Sequence, residues 1–142
     1  MKNKIVILIS LFLFSACSNF RNIRTQDKNV YFLEKEMEIN KKIELDNFVE
    51  NFKENLKFNN FIELRSFFGN SLRNRKILSE IENIDFSQIK IVNTKPKIHK
   101  NTATNILAFI FMDEVKYFRF TYTFKKGEWE ITKIKDGRWY LD

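Results

Sequence analysis

In 142 residues this chain carries one cysteine, one proline, one histidine and three glycines. Each scarcity excludes something. A single cysteine has no partner for an internal disulfide. A single histidine, His99 in "KIHKN", cannot build a histidine-based metal cluster and reads as a surface loop residue. A chain without a Gly-rich turn has little room for a phosphate-cradling loop. So little Gly and Pro also favours long regular elements joined by short connections. No block of like charges occurs, although the net charge is +7. Lys and Arg are interspersed with Asp and Glu, so the basic balance reads as a solvated surface rather than a nucleic-acid interface.

What is present is ordinary for a globular domain. At 44% hydrophobic and 30% charged, the chain can bury a core and is unlike a disordered one. The sixteen Phe accompany frequent Ile, Lys and Asn, a combination expected from an A/T-rich coding sequence. Part of the richness in Phe and Lys is therefore genomic background.

The first residues have their own organisation. Lys2 and Lys4 precede the apolar run Ile5–Phe14, "IVILISLFLF", and Ser15-Ala16 supplies small residues before Cys17. A charged start, a short apolar segment and a small-residue cut site describe an export signal. A spanning helix needs about 20 apolar residues, and Asn19, Arg21, Asn22 and Arg24 end this run too soon. "FSAC" resembles the bacterial lipoprotein lipobox, with Phe14 where that pattern usually has Leu. The resemblance implies a signal peptide over 1–16, cleavage before Cys17, and acylation of the Cys17 sulfur. At about 0.8 kcal/mol per buried methylene, two or three acyl chains would anchor the protein permanently. By the sorting pattern of such lipoproteins, Ser18 implies the periplasmic face of a bacterial outer membrane. In a one-membrane cell the outer face of the plasma membrane takes its place.

Residues 18 to about 35 are polar and show no sustained period, as expected of a spacer, so 17–43 reads as lipidated N-terminus and linker. Phe32, Ile39 and Ile43 would share a helical face that does not continue into the next stripe. That stripe is Leu45, Phe48, Val49, Phe52 and Leu56, the spacing of an amphipathic helix. Asn60 with Glu63 predicts a capping box opening a short helix that stops before Gly69. Asn70 or Ser71 caps a third helix with Leu72, Ile77 or Leu78, and Ile81 inward.

After Asp85 the period becomes two. Four strands are expected: Gln88–Lys100 with a bulge or edge position at Pro96, Thr102–Met112, Val115–Phe124, and a last one carrying Trp129, Ile131 and, after a one-residue slip, Ile134. Asp113-Glu114 and Lys126-Gly127 are the expected turns. Phe118, Phe120, Tyr122 and Phe124 share one face, with Lys116, Arg119, Thr121 and Thr123 largely on the other. The fold class is α+β: three N-terminal helices packed on a four-stranded antiparallel sheet, over residues 44–142.

The segments "LDNFVENFKENLKFNNFIELRSFF" and "FKKGEWEITKI" resemble the NTF2-like superfamily, closest to the small DUF4878 versions of bacterial lipoproteins. The resemblance implies a curved sheet wrapping a long helix into a cone, often with an apolar cavity.

Its enzymes, ketosteroid isomerases among them, need a carboxylate base and a hydrogen-bond donor inside that cavity. Asp113 and Glu114 fall in a turn, Glu128 and Glu130 alternate with the inward residues, and Glu50 and Glu54 lie on the polar side of their helix. No acid–base pair remains, and no metal or cofactor site is expected. Phe48, Phe52, Phe109, Phe111, Phe118, Phe120, Tyr122 and Trp129 are either a filled core or the wall of a pocket for an apolar ligand. The expectation is therefore a membrane-anchored, non-enzymatic binding domain for an envelope protein partner or small apolar ligand. The alternatives are a small isomerase or dehydratase, and a basic domain on anionic lipid or polymer.

Overall fold

The computed structural model describes residues 2–137, with side chains from residue 28 onward. Two compact units are present, Met1–Lys41 and Lys42–Asp142. Helix α1 spans Lys2–Lys57. Its residues 28–40 are helical and exposed, Phe32 and Ile39 among them, where an irregular spacer was expected. The reason is local: this stretch carries three Glu, two Lys, Leu33 and Met37 and is free of Gly and Pro, so propensity alone favours helix. Hydrophobic periodicity reports packing, and a helix without packing leaves no such trace.

In the second unit, α1 buries Leu45, Val49, Phe52 and Leu56 along one face, with Phe48 half-buried beside them. The helix ends in a Schellman arrangement. Asn59 takes the left-handed conformation (φ 53°), its N–H donates to the Leu56 carbonyl, and Asn60 N–H donates to that of Asn55. Helix α2 is only Phe61–Leu64, continued by a 3-10 turn over Arg65–Phe67. The expected capping box does not form. Asn60 makes no capping bond, and its side-chain amide donates instead to Asn55 Oδ1 at 2.9 Å. Helix α3, Leu72–Ile81, is capped by Ser71, whose Oγ accepts from Asn74 N–H at 3.1 Å. Its inner face is Asn74, Ile77, Leu78 and Ile81; Leu72, expected inside, is 79% exposed.

Among the described residues the sheet is antiparallel, open and five-stranded rather than four-stranded: β1 (Lys90–Asn93), β2 (Lys97–His99), β3 (Thr102–Phe111), β4 (Glu114–Lys125) and β5 (Glu128–Asp136). β1 and β2 both pair with β3, opposite residues 107–110 and 102–104 respectively. They are the single first strand that the sequence predicts, broken at Pro96, which has no N–H for the ladder. Thr94 bridges the gap: its N–H donates to the Ile106 carbonyl and its Oγ1 accepts from Ile106 N–H, each at 3.0 Å. The order across the sheet is then β1-β3-β4-β5.

Two-residue turns join the hairpins. Lys126-Gly127 closes β4–β5 with both residues at positive φ, a conformation that favours Gly at position 127. The β3–β4 turn is Met112-Asp113, one residue earlier than expected, so Glu114 opens β4 instead of completing the turn. The slip between Ile131 and Ile134 is a bulge: Tyr122 faces Ile131 and Thr121 faces Lys133, leaving Thr132 extra.

The free edge of β5 is covered from the helical side. Phe68 forms a parallel bridge with Ile131, and the Ile131 carbonyl accepts from Gly69 N–H and Asn74 Nδ2, both at 3.0 Å. Arg73 Nη2 donates to the Ile134 carbonyl at 3.1 Å. Edge carbonyls that would invite another chain are thus occupied.

Candidate functional site

The interior of the second unit divides into a filled part and an open part. In the filled part, Phe48 packs on Phe67 (ring centroids 5.0 Å apart) and edge-on against Tyr122 at 6.0 Å. Phe124 packs on Trp129 at 5.1 Å. Tyr122 is completely buried, and its hydroxyl donates to Asn105 Oδ1 at 2.8 Å. Burial pushes that phenol well above its ordinary range, with the Asn105 hydrogen bond opposing, so it stays protonated.

The open part is a cavity of about 740 Å³. Phe52 and Leu56 of α1 form one wall and Ile77 and Ile81 of α3 another. Ile84, Phe86 and Ile89 close it from the segment leading into β1. The sheet contributes Phe109, Phe111, Phe118, Phe120 and Ile134. Phe109 and Phe118 meet edge-on at 5.6 Å, and Phe86 packs on Phe109 at 6.2 Å, so these rings brace one another. Charged side chains ring the mouth: Arg73, Lys76 and Glu80 of α3, Glu114 and Lys116 at the start of β4, and Lys135 and Asp136 at the end of β5.

The eight aromatic residues singled out in the sequence are therefore divided. Phe52, Phe109, Phe111, Phe118 and Phe120 line the cavity; Phe48, Tyr122 and Trp129 lie outside its lining. Lys116 shares the strand parity of Phe118 and lines the mouth, not the opposite face. Ile77 and Ile81 carried a helical signal but no hint of a pocket. Phe86 lies between elements and carried no periodic signal; Ile89, read from its period of two as sharing a strand face with Ile91, lies just before β1.

Phe86 is placed by a specific latch. Asn59 Oδ1 accepts from Phe86 N–H at 3.0 Å while Asn59 Nδ2 donates to Asp85 Oδ1 at 2.8 Å. Asp85 also accepts from Ser87 N–H at 3.0 Å. The Ser87 backbone bond and then the Asn59 amide hold the Asp85 pKa below its ordinary value. The end of α1 thereby fixes one wall of the cavity.

The carboxylates that border the cavity, Glu80, Glu114 and Asp136, are all exposed at its mouth. Asp113 is exposed in the β3–β4 turn and Glu128 at the start of β5, Glu130 lies against Gly69, and Glu50 pairs with Lys53 at 2.7 Å. Among the described residues, no three His, Cys, Asp or Glu side chains converge as a metal site would need. His99 is exposed at the end of β2. The Cys17 side chain lies outside the described residues; among those that are described, no helix is long and apolar enough to cross a membrane.

No known protein family, curated protein or solved structure matches this chain.

Proposed function

We propose that this protein is an exported lipoprotein, anchored through acyl chains on Cys17, whose NTF2-like domain binds a small apolar ligand without transforming it. The observation that carries the binding function is the apolar cavity of about 740 Å³, a volume within the ordinary range of ligand pockets. Its walls come from two helices, a connecting segment and the sheet, which is the arrangement an NTF2-like cone implies. Three helices followed by an antiparallel sheet support the same family reading.

A ligand is favoured over catalysis because the bordering carboxylates stand at the solvent-exposed mouth, away from the apolar walls where a general base would meet its substrate. It is favoured over a purely protein-binding role because the cavity is open.

The anchor rests on the pattern ending in Cys17, and Ser18 supports the periplasmic face of an outer membrane as its location. Mass spectrometry of the exported chain tests it directly. An acylated N-terminal Cys17 is expected, and an unmodified thiol there would refute the anchor.

Ligand binding is tested by titrating full-length protein carrying Cys17→Ser with linear alcohols of increasing length. Each added methylene should tighten binding about fourfold, from about 0.8 kcal/mol per buried CH₂, until the cavity is full. Affinity independent of chain length, or no binding, would overturn the assignment.

A further inference from the structure

The mouth of the cavity carries information about the head group of its ligand. On the seam between α3 and β5, Arg73 reaches the Ile134 carbonyl at 3.1 Å, and Lys135 is the next residue along the strand. Lys76 lies one turn further along α3, and all three cations border the cavity. Lys133, two residues before Lys135 on the same edge strand, adds a fourth positive charge to this seam. Glu80 and Asp136 are the acidic groups bordering the cavity from these same two elements, and Glu114 with Lys116 borders it from β4.

From this arrangement we infer that the ligand is a single-chain amphiphile with an anionic head: its tail lies among Phe109, Phe118, Ile77 and Ile81, and its head sits at Arg73, Lys76 and Lys135. This deepens, and rests on, the reading of the cavity as a ligand site. Two features support the head-group sign. The first is stoichiometry at the mouth, where the α3 and β5 side chains bordering the cavity are three cations, Arg73, Lys76 and Lys135, against two carboxylates, Glu80 and Asp136. The second is repulsion among the cations. The charge of Lys135, then desolvation, with a smaller contribution from Arg73, lowers the Lys133 pKa, as expected where cations crowd one edge. An anion arriving at a mouth with apolar walls behind it gains from those charges, while its tail gains from burial. A cationic amphiphile would gain only the second.

The test uses the full chain carrying Cys17→Ser and three probes with one tail: decanoate, decanol and decyltrimethylammonium. Decanoate should bind about tenfold tighter than decanol at low salt, and the ammonium weakest. Raising the ionic strength should shrink the advantage of decanoate and leave decanol unchanged. The variant Lys76→Gln/Lys135→Gln, which leaves the Arg73–Ile134 contact intact, should bring decanoate to within about twofold of decanol. Adding Arg73→Gln should remove what remains. If decanol binds as tightly as decanoate, or the ammonium binds best, the head-group assignment falls while the apolar site stands. If none of the three binds, the site itself is wrong and the inference goes with it.

Discussion

Individual residues here show how a buried polar group is tolerated only with its partner. Asn105 faces inward on β3, and its Oδ1 accepts a hydrogen bond from the Tyr122 hydroxyl while its Nδ2 has no partner among the described residues. Replacing Tyr122→Phe would leave both ends of a buried amide unpaired. The expected cost is about 1–3 kcal/mol, read as a lower denaturation midpoint. Adding Asn105→Val to that variant should recover most of the loss, since removing both partners removes the desolvation penalty.

Asp85 gives a second residue-level prediction, with a definite sign. Its folded-state pKa lies below the unfolded value, so its bonds to Ser87 and Asn59 stabilise the fold at higher pH and are lost as pH falls through the folded pKa. Acid titration followed by thermal melting should therefore show a shallower decline below about pH 4 in Asp85→Asn than in the parent. An unchanged slope would mean that the latch contributes nothing.

At the scale of elements, the join between α3 and β5 rests on Asn74. This nearly buried side chain donates to the Gly69 carbonyl at 2.7 Å and to the Ile131 carbonyl at 3.0 Å. Asn74→Ala should destabilise the domain by about 2 kcal/mol and speed hydrogen exchange at Gly69 N–H, which shares the Ile131 acceptor. Slower or equal exchange at Gly69 would contradict that role.

Elements also show which signals a sequence carries. Strand β4 and the helical stripe from Leu45 to Leu56 were legible because one face is buried and the other is wet. Asn74 was not, because a polar residue on an inward face reads as solvent-facing until its carbonyl partners are known. The division of the first strand followed from Pro96, whose disruption was visible while its extent was not. The helical character of residues 28–40 was missed because intrinsic propensity, not burial, maintains it.

At the scale of the second unit, the aromatic residues divide between packing and lining according to where α1 and α3 cross the sheet. Phe48 and Phe52 are one turn apart on α1, yet one packs into the filled part and the other borders the cavity. Filling the cavity tests whether it is used. Ile77→Trp places a large ring against the Phe109 and Phe118 wall, and should weaken decanol binding by roughly tenfold or more. The melting temperature should stay equal or rise, because the added surface enters space that is already apolar. Loss of stability together with unchanged binding would show that the alcohol binds elsewhere.

By itself the amino-acid sequence determined the order of helices and strands, the antiparallel meander, the β5 bulge and which aromatics face inward. These follow from period, turn chemistry and the alternation of strand faces, all of which are local. Only the tertiary structure decided that the interior is part core and part cavity, that Phe86 and Ile134 join its lining, and that Arg73, Lys76 and Lys135 gather at its mouth. Those outcomes depend on distances between elements far apart in the chain. Helix and strand periods set which way a side chain points, but only packing sets whether another side chain meets it there.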